Sequence, residues 1–349
     1  MPSFPKVTAV WMSKDPSDLD NAINMLSALS FTSLSPERST TWAEKFKTLK
    51  RVLGGLWSED TAFMAPGGNC PSGVLGQISA MLEFVEQARD AGYDRITRLY
   101  LPVGSSCTIS GLVLGVVLAR RVFDASTYDG VFASTFEIVG TPIHHAAAFA
   151  QRNVNFLRSD IFSFCPLTIT HTVRSTVDLL ARLLGSEHRI VRNLEADALA
   201  FVRTRVRLDA SKDVVGTYGG HSKLSRVYAD AYDRTGAVFA SSSPKSLRAP
   251  DLWLCGHFAA KAFATMIADL DHMHSNHNDA VESSRVESVV FWQTKSRVQS
   301  AGSCDEFARA RAFFLALFAT GCVDQSPRPR SDREVSTSIM VIRMGTPGF

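Results

Sequence analysis

Long apolar runs are what this 349-residue sequence lacks first. No stretch approaches the roughly 18 apolar residues that span a bilayer, and the opening MPSFPKVTAVWMSKD has no long apolar region after its first basic residue. Membrane insertion is therefore not expected, and the cytoplasm is the expected compartment. Cysteine is sparse: Cys70, Cys107, Cys165, Cys255, Cys304 and Cys322 stand singly. Without the C-x-x-C pairs of zinc sites or the density of a disulfide scaffold, they read as reduced thiols of core and loops, and no metal site is expected. An excess of one charge is missing too. With 37 basic residues scattered among 34 acidic ones there is no basic face, which argues against nucleic acid. What is present is 45% hydrophobic residues, enough for a large core in two lobes.

Apolar strand-like runs alternate with segments of helical period, which predicts an α/β fold with a mainly parallel sheet covered on both faces. Val7 to Met12 reads as a strand and Leu19 to Leu29 as a helix, before the Ser/Thr/Pro-rich stretch Phe31 to Thr41. Val74 to Asp90 is an amphipathic helix with Ser72 as N-cap and Gly92 as its stop. A strand, Ile96 to Val103, follows, then the small-residue turn Gly104-Ser105-Ser106-Cys107-Thr108 and an apolar helix ending near Arg120 and Arg121. Phe136 to Thr141 and Val286 to Trp292 are further strands, and Thr176 to Leu184, Leu194 to Val206 and Phe258 to Leu270 further helices. Phe307 to Thr320 reads as a late helix and Ser336 to Met344 as a last strand.

A turn of small residues between a strand and a helix points backbone N–H groups outward at the positive end of the helix, where they can hold a phosphate. Gly104 to Thr108 fits this description, though a plain tight turn explains the residues equally well. Neither a Walker loop nor a G-x-G-x-x-G fingerprint is present.

Pro66-Gly67-Gly68-Asn69-Cys70-Pro71-Ser72-Gly73, the helix after it and Gly104-Ser105-Ser106-Cys107-Thr108-Ile109-Ser110-Gly111 together resemble one block of the aminocyclopropane-carboxylate deaminase and D-cysteine desulfhydrase family. Gly216-Thr217-Tyr218-Gly219, Phe258-Ala259-Ala260-Lys261-Ala262 and Phe291-Trp292-Gln293-Thr294 resemble three later blocks. The resemblance implies a tryptophan-synthase-β-like fold of three α/β/α layers that uses pyridoxal phosphate. It implies a phosphate cup at Gly104, Ser105, Ser106, Cys107 and Thr108, with Thr294 near the pyridine nitrogen. It also implies a substrate-side turn at Gly67, Gly68 and Asn69, and Tyr218 pointing into the active site.

Such chemistry needs a lysine amine. The family's lysine lies in an early G-G-N-K segment, followed by a G-S-N-H helix start, and neither precedes Gly67. The fold is thus expected to be incomplete at its N-terminus, with residues 1–60 a remnant of the smaller lobe, 61–300 the cofactor-binding region and 301–349 a C-terminal helix and strand extension. Lys45, Lys47 and Lys50 read as a solvated helix face, and Lys261 stands where relatives have a structural lysine. Lys295, after Thr294, is the candidate replacement. Phe258 replaces a tyrosine of the family's acid/base machinery, and Cys107 replaces a glycine, so its side chain is expected to crowd the turn. The segment His272 to His277 reads as a loop, and His144-His145 as a pair at a strand end.

Two functions follow: a lyase or deaminase acting on a small amino acid, or a non-catalytic relative serving as a binding or oligomer partner. The resemblance implies a homodimer in either case.

Overall fold

The computed structural model describes residues 7–11, 34–38, 43, 46–47, 50, 68–143, 168–209, 214, 222–234, 254–255, 258–277, 288–293 and 339–343. The chain divides into two units, Met1–Phe63 with Ser296–Ser336 and Met64–Lys295 with Thr337–Phe349.

In the first unit β1 (Val7–Trp11) pairs in parallel with β2 (Leu34–Arg38), Val7 opposite Leu34 and Trp11 opposite Arg38. The Ser/Thr/Pro-rich stretch Phe31 to Thr41 thus contains a strand. Pro36 is tolerated because both strands of a two-stranded sheet are edges, where a missing N–H costs little. Lys47 and Lys50 are helical and exposed, as expected for a solvated face. The helix expected over Leu19 to Leu29, Lys45, and the late helix Phe307 to Thr320 lie outside the described residues.

The second unit is built on a five-stranded sheet. In chain order its elements are α1 (Pro71–Asp90), β3 (Ile96–Val103), α2 (Cys107–Val122), α3 (Ala125–Val131), β4 (Phe132–Pro142), α4 (Ile169–Leu184), α5 (Leu194–Arg205), β5 (Val206–Leu208), α6 (Lys223–Arg234), α7 (Ala259–His277), β6 (Ser288–Trp292) and β7 (Ile339–Arg343). The strands lie in the order β5-β4-β3-β6-β7, the first four parallel and β7 antiparallel to β6. This is an α/β fold with seven helices among the described residues.

Alternation along β3 and β6 fills both faces. Leu99, Leu101, Val103, Val290 and Trp292 join the core under α1, α2, α4 and α5, whereas Tyr100, Val289 and Phe291 pack against α6 and α7. β4 and β5 extend the sheet to one side of β3, and the chain then crosses to lay β6 on the other. The carboxyl end of β3 therefore sits at the switch point, where open α/β sheets place their ligands.

Several boundaries differ from the sequence reading. The N-cap of α1 is Cys70, not Ser72, because Pro71 takes the first helical position, where its fixed φ and missing N–H are suited. Helix α7 runs on through His272 to His277, so that segment is helical and not a loop. The three-residue β5 and the short α3 escaped periodicity altogether. His144 and His145 lie outside the described residues. Among the described residues no helix is long and apolar enough to cross a membrane.

Helices α1 and α2 touch through glycine. A Cβ on Gly111 would stand 3.0 Å from the Val74 carbonyl oxygen and closer still to Gln77 Cβ, while Gly76 of α1 is exposed with open space around it. Gly111→Ala should therefore force the helices apart and cost about 1–3 kcal/mol. Gly76→Ala should stabilise by about 0.5–1 kcal/mol through helix propensity alone. Urea unfolding midpoints of the two variants should move in opposite directions.

Candidate functional site

Gly104, Ser105 and Ser106 turn the chain from the buried end of β3 into α2. Ser106 is the N-cap, at φ 66° and ψ −3°, and its side chain caps nothing. Its carbonyl accepts the first helical bond, from Ser110 N–H at 3.0 Å. The N–H groups of Cys107, Thr108 and Ile109 thus open at the positive end of a 16-residue helix without intrahelical acceptors. A left-handed serine costs on the order of 1 kcal/mol, which a glycine would avoid.

The turn Gly68–Asn69 lies against this helix start. Gly68, at φ 66°, offers its carbonyl to Cys70 N–H at 2.8 Å and to the Cys107 thiol at 3.4 Å. The Thr172 hydroxyl of α4 donates to Asn69 Oδ1 at 3.3 Å, and Thr168 caps α4 by accepting from His171 N–H at 3.1 Å. Two segments 39 residues apart, the one with Gly68 and Asn69 and the one with the turn Gly104 to Thr108, are thereby joined. The expected crowding by Cys107 does not occur. Cys107 is helical, its thiol points onto Gly68, and the left-handed position falls to Ser106. Burial pushes the Cys107 thiol up, whereas the Ser72 side chain, and after it the Gly73 N–H, hold the Cys70 thiol below its ordinary value.

Behind the turn stands Ile143, the residue after β4. Its N–H donates to the Val103 carbonyl at 3.1 Å, and a Cβ on Gly104 would meet its Cδ1 at 3.1 Å. Its carbonyl accepts from Lys261 Nζ at 3.1 Å. Lys261 is wholly buried at the start of α7, and burial pulls its amine down to about 8. Nearby, the Thr141 hydroxyl donates to Thr265 Oγ1 at 2.9 Å, tying α7 to the end of β4. Gln293, also buried, follows β6 at the same edge of the sheet. The family resemblance marked Lys261 only as structural. Its burial, and the contributions of Ile143 and Thr172, had no sequence signal.

The arrangement can hold an anion at the mouth of α2. Two buried hydroxyls, Ser110 Oγ in α2 and Thr170 Oγ1 in the first turn of α4, have no hydrogen-bond partner among the described residues. Gly67, Tyr218, Thr294 and Lys295 lie outside the described residues. Among those described, no group of three or more His, Cys, Asp or Glu could hold a metal ion.

No family model matches this sequence. No curated protein matches it either. A solved structure described as a crystal structure analysis of the ACC deaminase homologue is similar to it at a TM-score of 0.40 and 16% identity, over 76% of this chain. The chain spans 61% of the length of that protein.

Lys261 gives the site a pH signature. The folded chain releases this proton near pH 8 and the unfolded chain near 10.5, so between the two the unfolded state binds more protons and stability rises with pH. The expected gain is on the order of 3 kcal/mol. Burial of Cys107 and Tyr100 opposes the rise in the same window, so the stability difference between the chain and Lys261→Met, followed by denaturant unfolding from pH 7.5 to 10.5, should show it.

Proposed function

We propose that this chain is a pyridoxal-phosphate protein of the deaminase and desulfhydrase type, with the tryptophan-synthase-β-like fold, and that Gly104 to Thr108 receives the phosphate of the cofactor. The observation that carries this reading is the uncapped start of α2, with three N–H groups lacking intrahelical acceptors at a sheet switch point. The phosphate end of the cofactor fits. Cys107 turns its thiol onto Gly68, and Ser105, Ser106 and Thr108 add three hydroxyl-bearing residues to the same stretch of chain. The bound cofactor would supply an electron sink for charge developing on the α-carbon of a small amino acid. By the sequence resemblance, Gly67, Gly68, Asn69 and Tyr218 would face that substrate, and Thr294 would meet the ring nitrogen. A homodimer belongs to the same reading.

The amine end is a separate requirement. Among the described residues the lysines are Lys47, Lys50 and Lys223, all exposed, and Lys261, whose amine is held by the Ile143 carbonyl. Lys295 is the amine this reading assigns. The engagement of Lys261 favours a second reading, a relative that holds the cofactor without performing its chemistry.

Mixing the purified chain with pyridoxal phosphate should produce a visible absorption band, and borohydride followed by peptide mapping should place a pyridoxyl group on Lys295. Binding without an adduct would select the second reading; no binding would overturn both. Thr108→Asp should abolish binding by repelling the phosphate while leaving stability equal or slightly higher, since a carboxylate suits the first turn of a helix.

A further inference from the structure

We infer that Cys70 and Cys107 are a hydroperoxide-sensitive pair that closes into a reversible disulfide, stapling the Gly68–Asn69 turn to the first turn of α2. The two residues share one acceptor: the Gly68 carbonyl takes the Cys70 N–H at 2.8 Å and the Cys107 thiol at 3.4 Å. Both are free thiols, and each opens a long helix, Cys70 as the N-cap of α1 and Cys107 as the first residue of α2. Their accessibility divides the roles. Cys70 is partly exposed, with its sulfur 3.2 Å from Ser72 Oγ, whereas Cys107 is 6% exposed. The hydrogen bonds and helix N-terminus around Cys70 favour its thiolate, the form that attacks peroxide.

The reaction balances with a hydroperoxide as oxidant. The Cys70 thiolate attacks one oxygen of hydrogen peroxide, breaking the O–O bond and forming a sulfenic acid, while the other oxygen leaves as hydroxide and becomes water by taking up the proton the thiol had released. The Cys107 sulfur then attacks the Cys70 sulfur, the S–S bond forms, and hydroxide departs with the Cys107 proton as a second water. Both sulfurs are oxidised and the peroxide is reduced. The link closes the loop from residue 70 to residue 107, which restricts the unfolded chain and raises the unfolding midpoint of the oxidised protein. None of this depends on the cofactor.

The test treats the native full-length chain with one equivalent of hydrogen peroxide, then alkylates it and maps the peptides without reduction. The expected product is the Cys70 peptide joined to the Cys107 peptide, separated again by dithiothreitol and accompanied by a higher unfolding midpoint. Cys70→Ser, in which serine is itself a good N-cap and keeps α1 folded, should give no linked peptide. Full alkylation of both cysteines after peroxide, a link from Cys70 to another cysteine, or a sulfinic Cys70 beside an intact Cys107 thiol would each overturn the inference.

Discussion

The carboxyl edge of the sheet depends on how Ile143 is held. Its N–H bonds to the last residue of β3, its carbonyl to the buried ammonium of Lys261, and its side chain closes on Gly104. One residue thus couples the ends of two parallel strands, the start of α7 and the turn into α2. A lysine with no exposed surface is tolerated there because its proton finds a main-chain oxygen that would otherwise be left over at a strand end. The cost is a depressed pKa, and the return is a turn whose position is fixed from behind.

On the other side, the same turn is fixed by small residues. Gly68 and Ser106 both take left-handed backbone, at φ 66° in each case, and Gly111 lets α1 approach α2 closely enough for the Gly68 carbonyl to meet the Cys107 thiol. The geometry of the turn and the packing of the helices are therefore not separable here. Anything that widens the α1–α2 contact also pulls the Gly68–Asn69 turn from the mouth of α2.

The sequence revealed the central unit of this site because its physics is local. An eight-residue strand with an apolar second half, three small residues and an apolar helix can be read without tertiary knowledge, and β3 spans Ile96 to Val103 as the sequence predicts. What could not be read depends on contacts distant in the chain. Cys107 reads as a side chain crowding the turn, whereas positive φ falls on Ser106 and the Cys107 thiol meets Gly68, 39 residues away. Helix α7 was cut short at Leu270 because His272 to His277 looks polar, although Met273 continues the partly buried face. β5 has three residues and exists only by pairing with β4.

The central claim is that the mouth of α2 recognises a phosphate, and backbone hydrogen exchange measured with pyridoxal phosphate and with phosphate-free pyridoxal tests it most directly. The account predicts that pyridoxal phosphate slows exchange at residues 105–109 and 68–70 and that pyridoxal leaves these amides unchanged. Equal protection by both compounds, or protection confined to other parts of the chain, would contradict it.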